Sequence, residues 1–366
     1  MCEPIRILQV VPDISQVSGI AQVVANWYRH LDRSKVQFDY IYTAHVRKPA
    51  KEEEIARMGG RCYYLPYYRT PLASWRALNT LLRENRYHTL HSHVLQLPAV
   101  LFPLAKKYGV KHIIQHMHNP SMSDRKLAAL RNYVLIHSVW RFITHKMACS
   151  HMSGLACFGS SDFEVVNNGI DAENFVYNAA VRAEKRNELG LENNFVIGHI
   201  GRFSPQKNHA FLIDVFEQVA QANPAARLLL IGTGVLRERI EQTVRAKHLQ
   251  DRVIFTGMRT DIPQLLQAMD VFCLPSLFEG LGIVAVEAQA AGLSCVLADT
   301  LPQEAFICNY KKLPLGDAAL WAREVSGFAQ HFERTDTTAQ IKAAGFCAKE
   351  VARHMQDFYC RLEDKL

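Results

Sequence analysis

Short apolar segments alternate with amphipathic segments along most of the chain, and this alternation limits the fold more than any other feature. The first apolar segment, "RILQVVP" at 6–12, has the pattern of a buried strand, and the turn Ser18-Gly19 and a helical pattern, "IAQVVANWYRHL", follow it. Strands that alternate with helices form parallel sheets with right-handed crossovers. The same half holds five further strand patterns: "FDYIYT", "RCYYLPY", "HTLHSH", "HIIQHMH" and "KMACS". The sequence therefore predicts an α/β protein.

The alternation of strand and helix patterns starts again after a polar stretch, which indicates two domains. Strand patterns resume with "FVIGHIGR" at Phe195, after the charged connector "VRAEKRNELGLENN". The 366 residues are also about twice what a typical single-domain core needs. We place the boundary between 172 and 194 and predict domains at 1–175 and 176–340, which meet at a cleft. The helical segment 341–366 either closes the second sheet or crosses back to the first domain.

Composition and charge exclude several classes of protein. The nine cysteines are scattered without a C-x-x-C pair, which argues against zinc and disulfide frameworks and favours a cytoplasmic location. Arg6 and Asp13 flank only a short apolar run, and no apolar stretch approaches the roughly 20 residues of a membrane span. We therefore predict a protein that is at most bound at a membrane surface. Its net charge of +7 favours an anionic partner, such as a phosphorylated substrate, nucleic acid or an anionic membrane.

A basic motif follows the first strand of the second half. The motif "GRFSPQKN" at 201–208 supplies Arg202 and Lys207 where the strand ends. Ligands of open α/β sheets bind beyond the carboxyl ends of the strands. An arginine that clamps two oxygens and a compact lysine charge together suit a diphosphate. The alternative is a basic loop that only faces solvent.

A glycine-rich motif, "FEGLGIVAVE" at 278–287, follows the strand pattern "VFCLP". Gly280 and Gly282 allow the backbone to approach a ligand, and the helix that begins beside them presents amide groups to anions. Glu287 lies about five residues into that helix, roughly 7 to 8 Å from its start, which is the span from a diphosphate to a ribose. Glu279, before the helix, would face a sugar. The alternative for Glu287 is a bond to a neighbouring backbone or arginine group.

These motifs together resemble glycosyltransferase family 4, retaining enzymes of the GT-B fold. The resemblance rests on "GRFSPQKN", on the spacing of Glu279 and Glu287, on "NNGID" at 167–171 and on the Ser18-Gly19 turn, which occur in the family's order along nearly the whole chain. The segments "QHMHN", "LADTLPQEAFI" and "LPLGDAALWA" look most like bacterial exopolysaccharide and capsule glycosyltransferases, which also suggests a link to lipopolysaccharide. The resemblance implies two Rossmann-like domains with parallel sheets that face each other across a cleft.

The resemblance also implies roles for single residues. Arg202 and Lys207 would hold the donor diphosphate, and Glu287 would hold the ribose. Glu279 would contact the transferred sugar. The donor would further be held by Gly280, Leu281 and Gly282 at the helix start, and by the backbone of Gly19. His118, at the end of "HIIQHMH", matches the family's active-site histidine, and His116 is the weaker candidate.

Two segments depart from the family's pattern. Ser18 stands where the family often has a first glycine, so the sequence departs from the family at the turn that contains Gly19. The segment "TLPQE" at 300–304 replaces a glycine-rich turn, which puts a contact from Glu304 in doubt.

The implied activity is that of a hexosyltransferase. A nucleotide diphosphate sugar, with UDP as the implied nucleotide, would donate its sugar to a growing, lipid-linked surface glycan. Arg202, Lys207 and the helix start would catalyse by neutralising the leaving diphosphate, so the resemblance implies neither a metal nor a cofactor besides the donor.

Two alternatives remain open at this point. One is a GT-B-fold nucleotide-sugar epimerase, although the acid and base carboxylates that it needs are not evident. The other is a non-catalytic nucleotide-sugar-binding subunit of a polysaccharide assembly complex. An oxidoreductase is disfavoured because the first turn lacks G-x-G-x-x-G, and nucleic-acid binding is disfavoured because no recognition module is present.

Two further patterns carry alternatives. His91 and His93, like His116 and His118, are spaced two apart, so each pair shares a strand face, but no third metal ligand is evident and we predict no metal site. The stretch 124–146 is basic and amphipathic and predicts a helix. Such a helix either lies on anionic lipid, as a peripheral membrane contact, or packs on the core with a solvated face, and we favour the second.

Overall fold

Parallel strands with intervening helices form both halves of the protein, as the alternating pattern predicted. The computed structural model describes residues 3–15, 18–44, 46–65, 71–95, 97–122, 126–330 and 333–364. The strands are β1 Ile5–Val11, β2 Val36–Tyr42, β3 Arg61–Tyr64, β4 Thr89–Ser92, β5 His112–Met117, β6 His145–Ala148, β7 Glu164–Val165, β8 Phe195–Ile200, β9 Ala226–Ile231, β10 Val253–Gly257, β11 Val271–Leu274, β12 Ser294–Ala298 and β13 Tyr310–Leu313. The helices are α1 Gly19–His30, α2 Pro49–Arg57, α3 Pro71–Glu84, α4 Pro98–Lys107, α5 Lys126–Ser138, α6 His151–Phe158, α7 Ala179–Leu189, α8 His209–Ala222, α9 Arg237–Ala246, α10 Ile262–Ala268, α11 Ile283–Ala290, α12 Ala318–Gly327, α13 Thr338–Ala343 and α14 Ala348–Glu363.

The chain divides into two compact units. The first unit consists of residues up to Ile170 and from Cys347 onward, and the second unit runs from Asp171 to Phe346. The first unit contains a seven-stranded sheet in the order β3-β2-β1-β4-β5-β6-β7, and the second a six-stranded sheet in the order β10-β9-β8-β11-β12-β13. All of the strand pairs are parallel. The predicted α/β class with two Rossmann-like halves is confirmed.

Helix α14 completes the first unit. Its buried side chains, among them Met355 and Tyr359, pack with Trp27 and Tyr28 of α1 over one face of the first sheet. The opposite face of that sheet is covered by a second apolar cluster to which α3, α4 and α5 contribute. The last helix of the chain therefore belongs to the core of the first unit.

The predicted helix at 124–146 is wrong in its extent. Residues 124 and 125 lie outside the described residues, α5 ends at Ser138, a short 3-10 turn follows, and β6 begins at His145. Strand pairing ends the helical course: Thr144 Oγ1 accepts a hydrogen bond from the Ile113 amide, and the Thr144 amide donates to the Ile113 carbonyl. The basic stretch is thus divided between a helix and a strand.

Two other segments also differ from their patterns. The charged connector contains α7, whose Arg182 and Arg186 form ion pairs with Asp270, so this segment is packed into the second unit. The C-terminal helical pattern is split into α13 and α14 by Gly345, whose φ of +82° is in the left-handed region. Among the described helices, none combines the length and the apolar character that crossing a membrane requires.

Candidate functional site

Two loops of the second unit leave neighbouring strands at the same edge of the sheet. The basic motif follows β8, the glycine-rich motif follows β11, and these strands pair through Ile197 and Val271. The Leu277 amide donates to the Gln206 carbonyl at 2.8 Å and ties the two loops together. Because carboxyl ends of parallel strands form the usual binding edge of such sheets, this loop pair is where a ligand is expected.

Lys207 and Glu279 form a largely buried ion pair between these loops. Lys207 Nζ lies 2.6 Å from Glu279 Oε1, and the side chains are 13% and 8% exposed. Gln206 Nε2 donates to Glu279 Oε2 at 3.2 Å and to the Phe278 carbonyl at 3.0 Å. A lysine ammonium has three donors, so Lys207 keeps two for a ligand while Glu279 fixes its position. The alternative of a merely solvated basic loop does not hold for Lys207.

Gly201 and Arg202 complete the basic loop. A Cβ at Gly201 would lie 3.0 Å from Cγ and Cδ of Lys207, so glycine lets the lysine stem run close to the backbone. Arg202 is exposed, and its side chain makes no hydrogen bond or ion pair with any residue that the structure describes. Its guanidinium is therefore available to an anion, and its predicted role stays a prediction.

The glycine-rich motif sets the start of helix α11. Gly282 is the N-cap residue and has a φ of +79°, which few residues other than glycine adopt without strain. The Ala285 amide donates to the Gly282 carbonyl, whereas the amides of Ile283 and Val284 precede the first intrahelical hydrogen bond. Gly280 and Leu281, which are buried, lead into this turn. Unbonded amides at the positive end of a helix favour a phosphate.

Glu287 lies one turn further along α11 and has unusual electrostatics. Burial raises the pKa of its carboxyl from 4.5 to about 7. Its carboxylate makes no hydrogen bond or ion pair with the described residues, so the alternative of a structural bond to backbone or arginine is not observed. A half-buried carboxylate without a hydrogen-bond partner is stabilised most by a ligand that donates hydrogen bonds to it. The two hydroxyls of a ribose are such donors.

The first unit contains the remaining predicted site residues. Ser18 is the N-cap residue of α1 and accepts from the Ala21 amide, which makes Gly19 the first helical residue. Gly19 is exposed, and a Cβ there would meet nothing within 4 Å. His118 directly follows β5, and its Nε2 lies 2.8 Å from Nδ1 of His93. Contacts of Gly19 and His118 with a ligand stay predictions.

The two histidine pairs of the sequence come together on adjacent strands. His91, His93 and His116 each offer a ring nitrogen within 4.8 Å of the others, so a third potential metal ligand is present, in contrast to the reasoning from the sequence. The contact geometry, however, is that of hydrogen bonds. Both ring nitrogens of His93 already have hydrogen-bond partners, since Nε2 lies 3.0 Å from Gln9 Oε1 and Nδ1 lies 2.8 Å from His118 Nε2.

Three residues of these sites were not predicted from the sequence. Gln206 holds Glu279, and Gln9 and Tyr359 contact the histidine cluster. Gln9 had a usable signal, because it is a polar residue in the middle of the otherwise apolar strand β1. Tyr359 had none, since it lies 268 positions from the histidine that it contacts.

Comparisons with known proteins identify the family of both halves of the chain. The sequence matches the description "Glycosyl transferases group 1" over residues 181–326 and "Glycosyl transferase 4-like domain" over residues 18–154. Two relatives are similar in sequence. EpsF of Bacillus subtilis (strain 168), which carries the name of a glycosyltransferase, is 32% identical over 88% of this chain and 87% of its own. An Escherichia coli protein named UDP-Gal:alpha-D-GlcNAc-diphosphoundecaprenol alpha-1,3-galactosyltransferase is 28% identical over 61% of this chain and 60% of its own.

Among solved structures, that of Anabaena Alr3699/HepE in complex with UDP and glucose is similar over 98% of this chain and 100% of its own. The TM-score is 0.79 at 20% sequence identity. A likeness of this kind shows the fold, and it confirms the GT-B architecture expected from the sequence motifs.

Proposed function

The chain belongs to the family of group 1 glycosyl transferases, and from this premise we propose that it moves a sugar from UDP, with retention, to a growing lipid-linked surface glycan. That it is a glycosyltransferase of the hexosyltransferase type rests on the family itself. The observation that carries the donor assignment is the buried Lys207–Glu279 pair beside the glycine-opened start of α11.

The donor site is assigned by charge. Arg202 and Lys207 bind the diphosphate together with the amides around Gly282, because all of these groups are positive. Glu287 accepts hydrogen bonds from the ribose, and Glu279 contacts the transferred sugar. When the glycosidic bond breaks, the diphosphate gains negative charge, and the same positive groups stabilise it more strongly than in the ground state. The proposed chemistry therefore takes no metal or cofactor besides the donor.

The substrate classes follow from the relatives. The Escherichia coli relative is named for transfer from UDP-Gal to a sugar on diphosphoundecaprenol, and HepE was crystallised with UDP and glucose. We extend to this chain a UDP-linked hexose or N-acetylhexosamine donor and an acceptor saccharide carried on a lipid diphosphate. Gly19 and His118 of the first unit are proposed as contacts to the donor phosphates and the sugar.

A panel of nucleotide sugars tests the donor assignment. A bound donor stabilises the native state by mass action, and at about 100 times the Kd the gain is about 2.7 kcal/mol. We expect UDP and one UDP-sugar to raise the melting temperature, and ADP- and GDP-sugars to have little effect. The stabilising UDP-sugar should then be consumed in the presence of undecaprenyl-diphosphate saccharides. If no UDP compound shifts the melting temperature, the donor assignment is wrong.

A lipid-linked acceptor requires the enzyme to reach a membrane, and helix α5 offers a surface for this. Leu127, Leu130, Tyr133 and Val134 are 84%, 60%, 51% and 57% exposed and lie along one stripe of the helix. The opposite side of α5 supplies the buried side chain of Ile136. The other side of this helix is already packed on the core. Its exposed apolar stripe is therefore suited to contact with the apolar part of a membrane.

The charge around this stripe selects the kind of partner. Residues 85–161 contain nine lysines and arginines but a single acidic residue, Asp124, which is a net charge of +8 against +7 for the whole chain. Arg131 and Arg141, on α5 and just after it, are exposed. Basic groups beside an apolar stripe favour an anionic bilayer surface, at about 1 kcal/mol per basic residue. We therefore place the chain peripherally on the inner face of the cytoplasmic membrane.

Vesicle flotation tests this membrane contact. The wild-type chain should float with phosphatidylglycerol-containing vesicles and not with pure phosphatidylcholine, and added salt should weaken binding. A Leu130→Ser/Val134→Ser variant should bind about tenfold more weakly or worse, because each apolar side chain loses roughly 1.5–3 kcal/mol of burial. Met258→Ser, an equally exposed apolar position in the second unit, is the matched control. Equal flotation of both variants would exclude α5 as the contact.

A further inference from the structure

Four histidine rings are packed together where β4 and β5 end. His91 and His93 stack with their ring centroids 4.3 Å apart, and His116 and His118 stack at 4.2 Å. The indole of Trp27 lies 5.8 to 5.9 Å from three of these rings. A neutral imidazole carries one proton on one of its two ring nitrogens. The hydrogen bonds of each ring decide which nitrogen carries that proton.

Gln9 connects this cluster to the last helix. Its Oε1 lies 3.0 Å from Nε2 of His93, and its Nε2 donates to the hydroxyl of Tyr359 at 3.1 Å. The other ring nitrogen of His93, Nδ1, lies 2.8 Å from Nε2 of His118. Gln9, His93 and His118 therefore form one continuous chain of hydrogen bonds.

The direction of each bond follows from the amide. An amide oxygen only accepts, so Nε2 of His93 carries a proton and donates to Gln9. Burial lowers the pKa of His93 well below its usual range, so the ring is neutral and its Nδ1 is an acceptor. Nε2 of His118 must then carry the proton of that ring and donate to His93. Burial lowers the pKa of His118 to about 3, which leaves its Nδ1 without a proton at neutral pH.

The remaining ring nitrogen of His118, Nδ1, can accept a hydrogen bond. Its Nδ1 is buried and has no hydrogen-bond partner among the described residues. An unpaired buried acceptor destabilises the free protein, so a ligand hydroxyl that donates to it is favoured on binding.

We propose that Gln9 is a positioning residue which, through His93, fixes the tautomer of His118 so that its Nδ1 accepts a hydrogen bond from a hydroxyl of the transferred sugar. This proposal rests on the proposed function, in which His118 contacts the sugar. Gln9 itself touches no substrate. Its effect on the reaction passes through two imidazole rings.

Histidine tautomers are directly visible by ¹⁵N NMR of the full chain labelled in histidine. We expect His118, assigned by the loss of its signals in His118→Asn, to show an unprotonated Nδ1 and a protonated Nε2 that do not titrate between about pH 6 and 8. A protonated Nδ1, or a mixture of tautomers, in the wild-type chain would overturn the proposal. This measurement requires neither activity nor donor.

A double-mutant cycle tests the effect on turnover. Gln9→Met keeps the side-chain length but removes both polar atoms, and it should mix the tautomers of His118 and lower kcat about tenfold, the equivalent of one hydrogen bond. The Kd for UDP, which lacks the sugar, should change less than about twofold. In His118→Asn the amide oxygen replaces Nδ1 as an acceptor that no longer depends on Gln9, so Gln9→Met should have no further effect there.

The outcomes distinguish failure of the tautomer proposal from failure of the proposed contact between His118 and the sugar. If Gln9→Met lowers kcat equally in the His118→Asn background, Gln9 acts by packing and the tautomer proposal is wrong. If His118→Ala leaves kcat unchanged while the NMR tautomer is as expected, the hydrogen-bond chain exists but the proposed contact between His118 and the sugar fails.

Discussion

A Lys207→Met variant is expected to lose about 100- to 1000-fold in kcat, the usual cost of removing one group that stabilises charge in the transition state. The ammonium of Lys207 is held at 2.6 Å from Glu279 and has two donors left for the leaving diphosphate. Methionine keeps most of the stem that packs over Gly201 and removes only the charge. The measurement is release of UDP from the donor in the presence of acceptor.

Lys247→Met is the matched control for this experiment. Lys247 is also an ion-paired lysine of the second unit, with Asp214 and Glu217 as partners, but it lies just after α9 and away from the two loops. It should keep wild-type kcat. Because Lys207→Met leaves the Glu279 carboxylate with Gln206 alone, the double variant Lys207→Met/Glu279→Gln checks that the loss does not come from an unpaired buried charge. Retention of kcat in Lys207→Met would refute its role at the diphosphate.

A Glu287→Gln variant is expected to bind UDP about 10- to 100-fold more weakly than the wild type. A hydrogen bond to a charged acceptor contributes about 1.5–3 kcal/mol, and the neutral amide forfeits part of this at both ribose hydroxyls. Because the pKa of Glu287 is about 7, the wild-type affinity should also rise more steeply from about pH 6 to 8 than that of Glu287→Gln, which keeps only the pH dependence due to the second ionisation of the terminal phosphate of UDP. Isothermal titration with UDP at several pH values measures both effects. A pH dependence that is the same in the wild type and in Glu287→Gln would contradict the ribose assignment.

The same substitution should make the free protein more stable in alkaline solution. The folded carboxyl has a pKa of about 7 against 4.5 for its ordinary value, so it favours the folded state below about pH 4.5 and loses this contribution as the pH rises through 7. The full shift corresponds to about 3 kcal/mol. Thermal unfolding of Glu287→Gln should therefore match the wild type near pH 5 and occur a few degrees higher at pH 8. A lower melting temperature at pH 8 would mean that the ionised carboxylate is already stabilised by a partner.

The fold was predictable because its central strands are buried on both faces. Segments such as β1, β8 and β11 are mostly apolar, which is the pattern of parallel strands covered by helices. Two strands that carry no clear apolar pattern, β7 and β13, are edge strands; β7 has two residues, and β13 is largely exposed and contains two lysines. These two strands bury too little apolar surface to leave a clear pattern.

The site was predictable in its residues but not in its contacts. Motif spacing placed Lys207 and Glu279 in the same region, yet nothing in the sequence indicates that their side chains bond across 72 positions. The environment of Glu287 is likewise a result of packing, and packing alone raises its pKa. The amphipathic pattern at 124–146 failed for a related reason, because the pairing of β5 with β6 outweighs local helical preference.

The place where the chain leaves and re-enters the first unit bears on how the protein is made. Ile170 and Cys347 pair in an isolated parallel bridge, and the Ala348 amide donates to the Ile170 carbonyl. Everything between them is a continuous insertion with its own sheet, whereas the first unit lacks the side of its core formed by α14 until residues 348–363 have left the ribosome. During synthesis the first unit is therefore completed only after the second, and a ribosome that stalls before α14 is translated would leave a chain whose second sheet is complete and whose first sheet lacks the helix that covers part of one face.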